Sequence, residues 1–110
     1  MKAYLIDEFS PPDMKKIIAF LEKVAIRSSL EQIFWIPVPR DMLSRTQFLH
    51  TDCQPHVFAL ELGDQWIKAE FFVRTLKTMR CDCPGYCTPQ QREYVLNFTN
   101  GMLDQLGIST

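Results

Sequence analysis

The chain has 110 residues, a formal net charge of −1 and an apolar fraction of 46%. This composition is typical of a globular protein and excludes an intrinsically disordered one, and the length predicts a single domain over residues 1–110. The near-neutral charge argues against general binding of nucleic acid, which needs clustered lysine and arginine.

The hydrophobic pattern predicts neither a membrane span nor a secretory signal. The longest unbroken apolar run, residues 17–21, is too short to cross a bilayer. Charged residues follow the N-terminus too closely for a signal peptide. We therefore expect a cytoplasmic protein with no membrane partner. Thiols in the cytoplasm are normally reduced, so clustered cysteines there favour metal or redox roles over structural disulfides.

The first half of the chain contains patterns for two strands and a long helix. Ser10 is a suitable N-cap, Pro11 fits the first helical position, and apolar residues follow at helical spacing. Pro37 ends a short β-prone run. These patterns predict strands at residues 3–9 and 33–36, a helix at residues 11–26 and a short helix near residues 41–48.

The second half begins with a predicted β-hairpin of strands 56–62 and 65–73. Gly63 and Asp64 suit a two-residue turn with a positive φ at the glycine, which would pair Leu62 with Gln65. Residues alternate between two faces. The predicted core face carries Phe58, Leu60, Leu62, Ile67, Ala69, Phe71 and Val73. The other face carries Val57, Trp66 and Phe72, and we expect it to be half solvated and available as an interface.

The C-terminal pattern predicts a second long helix. Thr88, Pro89 and Gln91 form a capping-box signature at its start, and Gly107 suits its end. The element order is therefore β-α-β-β-β-α. This order predicts an α+β domain in which two helices pack on one face of a small, mainly antiparallel sheet.

Four cysteines are the main candidates for chemistry. Cys81, Cys83 and Cys87 fall within seven positions of the predicted loop 74–88, and Cys53 lies just before the hairpin. The open end of the hairpin leads to both stretches, so the four thiols are expected to meet there. Four thiolates are a common ligand set for structural zinc, and we therefore predict a zinc site that ties the loop to the sheet.

Two histidines provide an alternative ligand. His50 and His56 each lie three residues from Cys53. Either imidazole can replace that thiolate in a Cys₃His site. The resulting prediction is a small intracellular domain with a structural zinc site and no catalytic residue. Its partner would be an unidentified protein or a second copy of the chain.

Two other functions are compatible with the same residues. Cys87 directly precedes the helix at Thr88, and a helix N-terminus lowers a thiol pKa. A thiol redox enzyme would use Cys87 with Cys83 or Cys81 as the resolving thiol. Free cysteine also behaves as a small hydrophobic residue. The third possibility is therefore a metal-free interaction domain with incidental thiols.

Overall fold

The computed structural model describes residues 2–30, 32–77 and 81–109, so residues 78–80 of the predicted loop 74–88 lie outside the described part. The described residues form an α+β fold with three α-helices and seven strands. The helices are α1 (Pro11–Val24), α2 (Arg45–Leu49) and α3 (Pro89–Gln105). The strands are β1 (Ala3–Ile6), β2 (Ile26–Arg27), β3 (Ile33–Pro37), β4 (His56–Leu62), β5 (Ile67–Glu70), β6 (Phe72–Thr75) and β7 (Gly85–Tyr86).

The strands form an antiparallel open sheet in the order β1-β5-β4-β3-β2. β6 follows β5 after a one-residue break and pairs with the first residues of β4, where His56 lies opposite Thr75. β7 then returns along β6, with Val73 opposite Gly85. The α+β class and the antiparallel sheet are therefore as predicted. The packing of two helices on one face stays a prediction.

Both long helices begin as their sequences predict. The Ser10 hydroxyl accepts a hydrogen bond from the Asp13 backbone N–H at 3.2 Å. At the start of α3, the side chains of Thr88 and Gln91 satisfy each other's backbone N–H groups in a capping box. The short helix predicted near residues 41–48 is α2, which a 3₁₀ turn at Arg40–Met42 precedes.

The core is one hydrophobic cluster to which α1, α3 and the sheet contribute residues. Its members are almost fully buried. They include Met14, Ile17 and Leu21 of α1, Val95, Met102 and Leu103 of α3, and Phe34, Ile36, Phe58, Leu60, Leu62, Ile67, Ala69, Phe71 and Val73 of the sheet and its break. All seven residues of the predicted core face of the hairpin are in this cluster.

The hairpin register differs from the prediction by two residues. Leu62 pairs with Ile67 instead of Gln65, and the N–H of Gly63 donates to the carbonyl of Trp66 at 2.9 Å. A shift of two keeps every side chain on its face, which is why the core face is still correct. Gly63 does not have the predicted positive φ: among the described glycines only Gly107 does. Instead, a Cβ on Gly63 would lie 2.0 Å from the Trp66 ring.

Candidate metal centre

One group of side chains brings four potential metal ligands together. His50, Cys53, Cys81 and Cys83 each offer one ligand atom, and these atoms all lie within 4.8 Å of one another. In a tetrahedral zinc site with Zn–S bonds of about 2.3 Å, the sulfur atoms are about 3.8 Å apart. The group therefore has the size of a single-ion site, with ligand atoms that need to shift by only about 1 Å to surround the ion.

A 3₁₀ turn at Thr51–Cys53 places the first two ligands side by side. His50 ends α2 and starts this turn, and the Cys53 N–H donates to the His50 carbonyl at 3.0 Å. Side chains three residues apart on a 3₁₀ turn lie over one another. The turn thus directs both side chains to one side, where His50 Nδ1 lies 2.8 Å from the Cys81 sulfur.

Strand pairing brings the other two ligands to this turn. β4 starts at His56, just after the turn, and pairs with β6, while β6 pairs with β7. The chain therefore returns to the start of β4 just before Gly85, where Cys81 and Cys83 lie. The Thr75 hydroxyl at the end of β6 also donates to the Cys53 carbonyl. Sheet topology, rather than local sequence, makes the two stretches converge.

Two buried glutamines fix the Cys83 backbone above the turn. Gln47 and Gln91 are only 3% and 1% exposed. Gln47 Nε2 donates to the Cys83 carbonyl at 3.1 Å, and Gln91 Nε2 donates to Gln47 Oε1 at 2.8 Å. The Oε1 atoms of the two glutamines also accept the N–H groups of Ser44 and Thr88, which completes a capping box on α2 and on α3. This glutamine pair joins both helix starts to the cysteine segment.

The thiols influence one another's protonation. Burial raises the pKa of Cys83 to about 12. The pKa of Cys81 is lowered to about 7, mainly because its sulfur accepts hydrogen bonds from the backbone and thiol of Cys83. A hydrogen bond with Cys81, followed by burial, raises the pKa of Cys53. Without a cation, one thiolate is therefore stabilised by two neutral thiols, and a cation would favour ionisation of all three.

His56, the other predicted substitute ligand, contacts Cys83 but is not one of the four grouped residues. Its side chain is 1% exposed, and its Nε2 lies 3.3 Å from the Cys83 sulfur. Its Nδ1 is buried with no hydrogen-bond partner in the described part of the chain. Burial lowers the pKa of His56, so the imidazole is neutral at pH 7.

Cys87, a predicted ligand, lies outside the group of four. Its N–H donates to the Phe71 carbonyl at 3.0 Å, and its side chain packs against the hydrophobic core. Burial raises the pKa of Cys87 to about 11, whereas the helix N-terminus was expected to lower it. The group of four that could hold a metal ion thus contains His50, a predicted substitute ligand, and three of the four predicted cysteines. The His-x-x-Cys spacing of residues 50–53 is the sequence signal for this ligand pair.

Comparisons of the chain with protein-family models, curated proteins and solved structures find no match. The function is therefore inferred from the site itself. Its donor atoms are three sulfurs and one imidazole nitrogen. Such donors suit transition metals, whereas calcium and magnesium prefer oxygen. The helices of the described residues are also too short or too polar to span a membrane.

Replacing Gln47 with methionine tests the glutamine pair. The variant leaves the Cys83 carbonyl and one Gln91 N–H buried without partners, at about 1–3 kcal/mol each. We expect the free energy of unfolding, measured by urea denaturation with circular dichroism, to fall by about 2–4 kcal/mol. Gln90→Met, at an exposed position of α3, is the matched control and should change it by less than about 0.5 kcal/mol. Equal losses in both variants would contradict this role.

Proposed function

We propose that this protein is a small interaction domain whose fold is tied together by one zinc ion bound to His50, Cys53, Cys81 and Cys83. The observation that carries the proposal is the convergence of four ligand atoms, none more than 4.8 Å from another. Three thiolates and one imidazole are a common ligand set for structural zinc. Four protein ligands leave no coordination position for water, so the proposed role of the ion is structural and not catalytic.

The proposed ion links two stretches whose cysteines lie outside the hydrophobic core cluster. The 3₁₀ turn at Thr51–Cys53 and the segment from Cys81 to Cys83 have little regular secondary structure. Both contribute ligands. A metal that binds the folded state but not the unfolded chain stabilises the fold by its binding free energy. This supports a role in holding the cysteine segment against the sheet.

The redox alternative based on Cys87 has lost its main support. Its thiol is half-buried with a pKa raised to about 11, so little thiolate is present at neutral pH. The thiol with a lowered pKa is Cys81, and its sulfur is one of the four ligand atoms. Reactivity of Cys81 in a metal-free sample therefore does not require a redox function.

Metal content and ligand identity can be measured together. We expect elemental analysis and native mass spectrometry of protein purified without added metal to give one zinc ion per chain, and chelation to lower the melting temperature. Cys53→Ser and Cys81→Ser should each weaken zinc binding by more than about 100-fold, beyond the usual effect of a residue outside the coordination sphere. Cys87→Ser is the matched control and should retain full zinc occupancy.

Three results would contradict this zinc site. Loss of zinc from Cys87→Ser would mean that the ligand set is wrong. No metal, together with a reversible loss of two hydrogen atoms from the mass when an oxidant is added, would support the redox alternative. No metal and no such mass change would support a metal-free interaction domain with incidental thiols.

The number of protons released on zinc binding should depend on how many of the three thiols are protonated beforehand. At pH 7 the raised pKa values keep Cys53 and Cys83 protonated, while Cys81, with a pKa of about 7, is half protonated. Zinc binds thiolates, so these thiols should release about two to three protons per ion at pH 7. Zinc affinity should fall as the pH is lowered, because protons then compete for all three sulfurs.

Calorimetry in buffers with different ionisation enthalpies measures this number. Calcium, which prefers oxygen ligands, is the control and should produce no binding heat at the site. Release of fewer than about one proton would contradict binding through three thiolates.

The proposed interaction surface is the sheet face opposite the core. Tyr86 and Leu5 are 64% and 57% exposed, and Trp66 and Phe72 are half-buried. The rings of Phe72 and Tyr86 are in edge-to-face contact, with centroids 5.1 Å apart. Val57, which was predicted to contribute to this face, is fully buried and offers no contact surface.

The charges on this surface support a protein partner rather than a nucleic acid. Arg74 lies 4.9 Å from the Phe72 ring centroid, and Lys68 lies 5.9 Å from that of Trp66. Each cation also forms an ion pair, Arg74 with Glu70 and Lys68 with Glu61. Base stacking needs open ring faces and cations available to phosphates. The proposed partner is therefore another protein or a second copy of the chain.

A double substitution tests this surface. Trp66→Ser with Phe72→Ser should leave the circular dichroism spectrum unchanged and reduce self-association in sedimentation velocity, because both rings lie outside the core cluster. Leu30→Ser, at an exposed position before β3 near the other edge of the sheet, is the control. A wild-type chain that sediments as a monomer at every concentration would exclude the second copy as the partner.

A further inference from the structure

The buried imidazole of His56 contacts the metal centre without belonging to its ligand set. His56 is the first residue of β4, and its backbone is held by pairing with Thr75 and by the Val38 N–H, which donates to its carbonyl at 2.8 Å. Its Nε2 lies 3.3 Å from the Cys83 sulfur, a hydrogen-bond distance for a sulfur acceptor. A polar side chain in a fully buried position needs a partner, and this sulfur provides it.

The unpaired nitrogen of His56 indicates which nitrogen carries the proton. A neutral imidazole has one N–H donor and one bare nitrogen acceptor. Nδ1 has no partner in the described part of the chain. A buried N–H without an acceptor is rarer than an acceptor that lacks a donor. The proton is therefore on Nε2, which donates to the sulfur of Cys83.

The net charge of the proposed zinc site gives the hydrogen bond between His56 and Cys83 a function. Three thiolates, one neutral imidazole and one Zn²⁺ ion carry a net charge of −1. Cys83 and Cys53 are almost fully buried, so water has little access to their sulfur atoms. Excess charge in a buried site is costly unless donors surround it. An N–H aimed at Cys83 supplies such a donor where water cannot.

We infer that His56 is a positioning residue of the metal centre, which donates an Nε2–H hydrogen bond to the zinc-bound thiolate of Cys83. This inference rests on the proposed zinc site. Cys83 is then held at two atoms, because Gln47 binds its carbonyl and His56 binds its sulfur. The hydrogen bond stabilises the negative charge of the buried thiolate against protonation, so it strengthens zinc retention. It also withdraws electron density from the sulfur, which lowers the reactivity of Cys83 towards alkylating agents.

Two substitutions of His56 separate hydrogen bonding from packing. His56→Phe keeps a flat ring but removes the donor. His56→Gln places an amide N–H near the position of Nε2 and retains a donor. We expect His56→Phe to lower zinc affinity by about 10–100-fold in competition with a chromophoric chelator, and to speed alkylation of Cys83 in the zinc-loaded protein. His56→Gln should recover most of both losses, and Cys87→Ser should match the wild type.

The position of the proton on the His56 imidazole can be measured in the zinc-loaded wild type, without a variant. Long-range ¹H–¹⁵N correlation spectra report the imidazole tautomer, and we expect a neutral His56 with its proton on Nε2. A proton on Nδ1 would overturn the inference, even if His56→Phe failed to fold.

The outcomes distinguish this inference from the zinc site itself. Zinc binding by the wild type, with equal affinity and equal Cys83 alkylation in His56→Phe, would overturn the role of His56 and leave the zinc site in place. Equal losses in His56→Phe and His56→Gln would assign the effect to packing and would also overturn it. A wild type that binds no zinc would overturn the zinc site and, with it, this inference.

Discussion

The placement of Cys83 is the constraint on which the rest of the site depends. Gln47 holds its carbonyl, His56 contacts its sulfur, and β7 starts two residues later with a pairing to β6. These contacts come from three different parts of the fold. Cys81 lies two residues before Cys83, and its sulfur is 2.8 Å from Nδ1 of His50 at the end of α2. Order in the site therefore comes from tertiary hydrogen bonds, and a metal would bind groups that are already close.

The same hydrogen bonds explain why α2 exists. A helix of five residues is far too short to be stable alone. Its capping glutamine, Gln47, also binds the capping glutamine of α3, Gln91, so a local helix-start signal becomes a contact between distant segments. His50 lies at the end of α2 and takes its position from that helix. The candidate ligands, the helix starts and the glutamine pair are thus joined in one network of hydrogen bonds.

The sequence predicts what depends on local pattern. Alternation in the hairpin identifies the buried face even though the turn is misplaced, because an error of two residues preserves the side of every side chain. The sequence offers both His50 and Cys87 as ligands, but local pattern could not show that His50 joins the group of four and Cys87 does not. The direction of Cys87 follows from its backbone bond to Phe71, and that of His50 from a single 3₁₀ turn. Polar Gln47 is likewise expected at the surface, and only the fold makes it a buried bridge.

The protonation states of the three clustered thiols bear on both the structural and the redox interpretation of the site. Without a metal, half-buried Cys81 has the lowered pKa, so among the three clustered thiols its sulfur has the most thiolate character. Its neighbours Cys53 and Cys83 are buried and protonated, and they serve as hydrogen-bond donors to it. A bound cation would replace these donated protons and engage all three sulfurs at once. The same four side chains could hold a metal ion, and an ion there would engage the sulfur of Cys81, the thiol whose pKa is lowered without it.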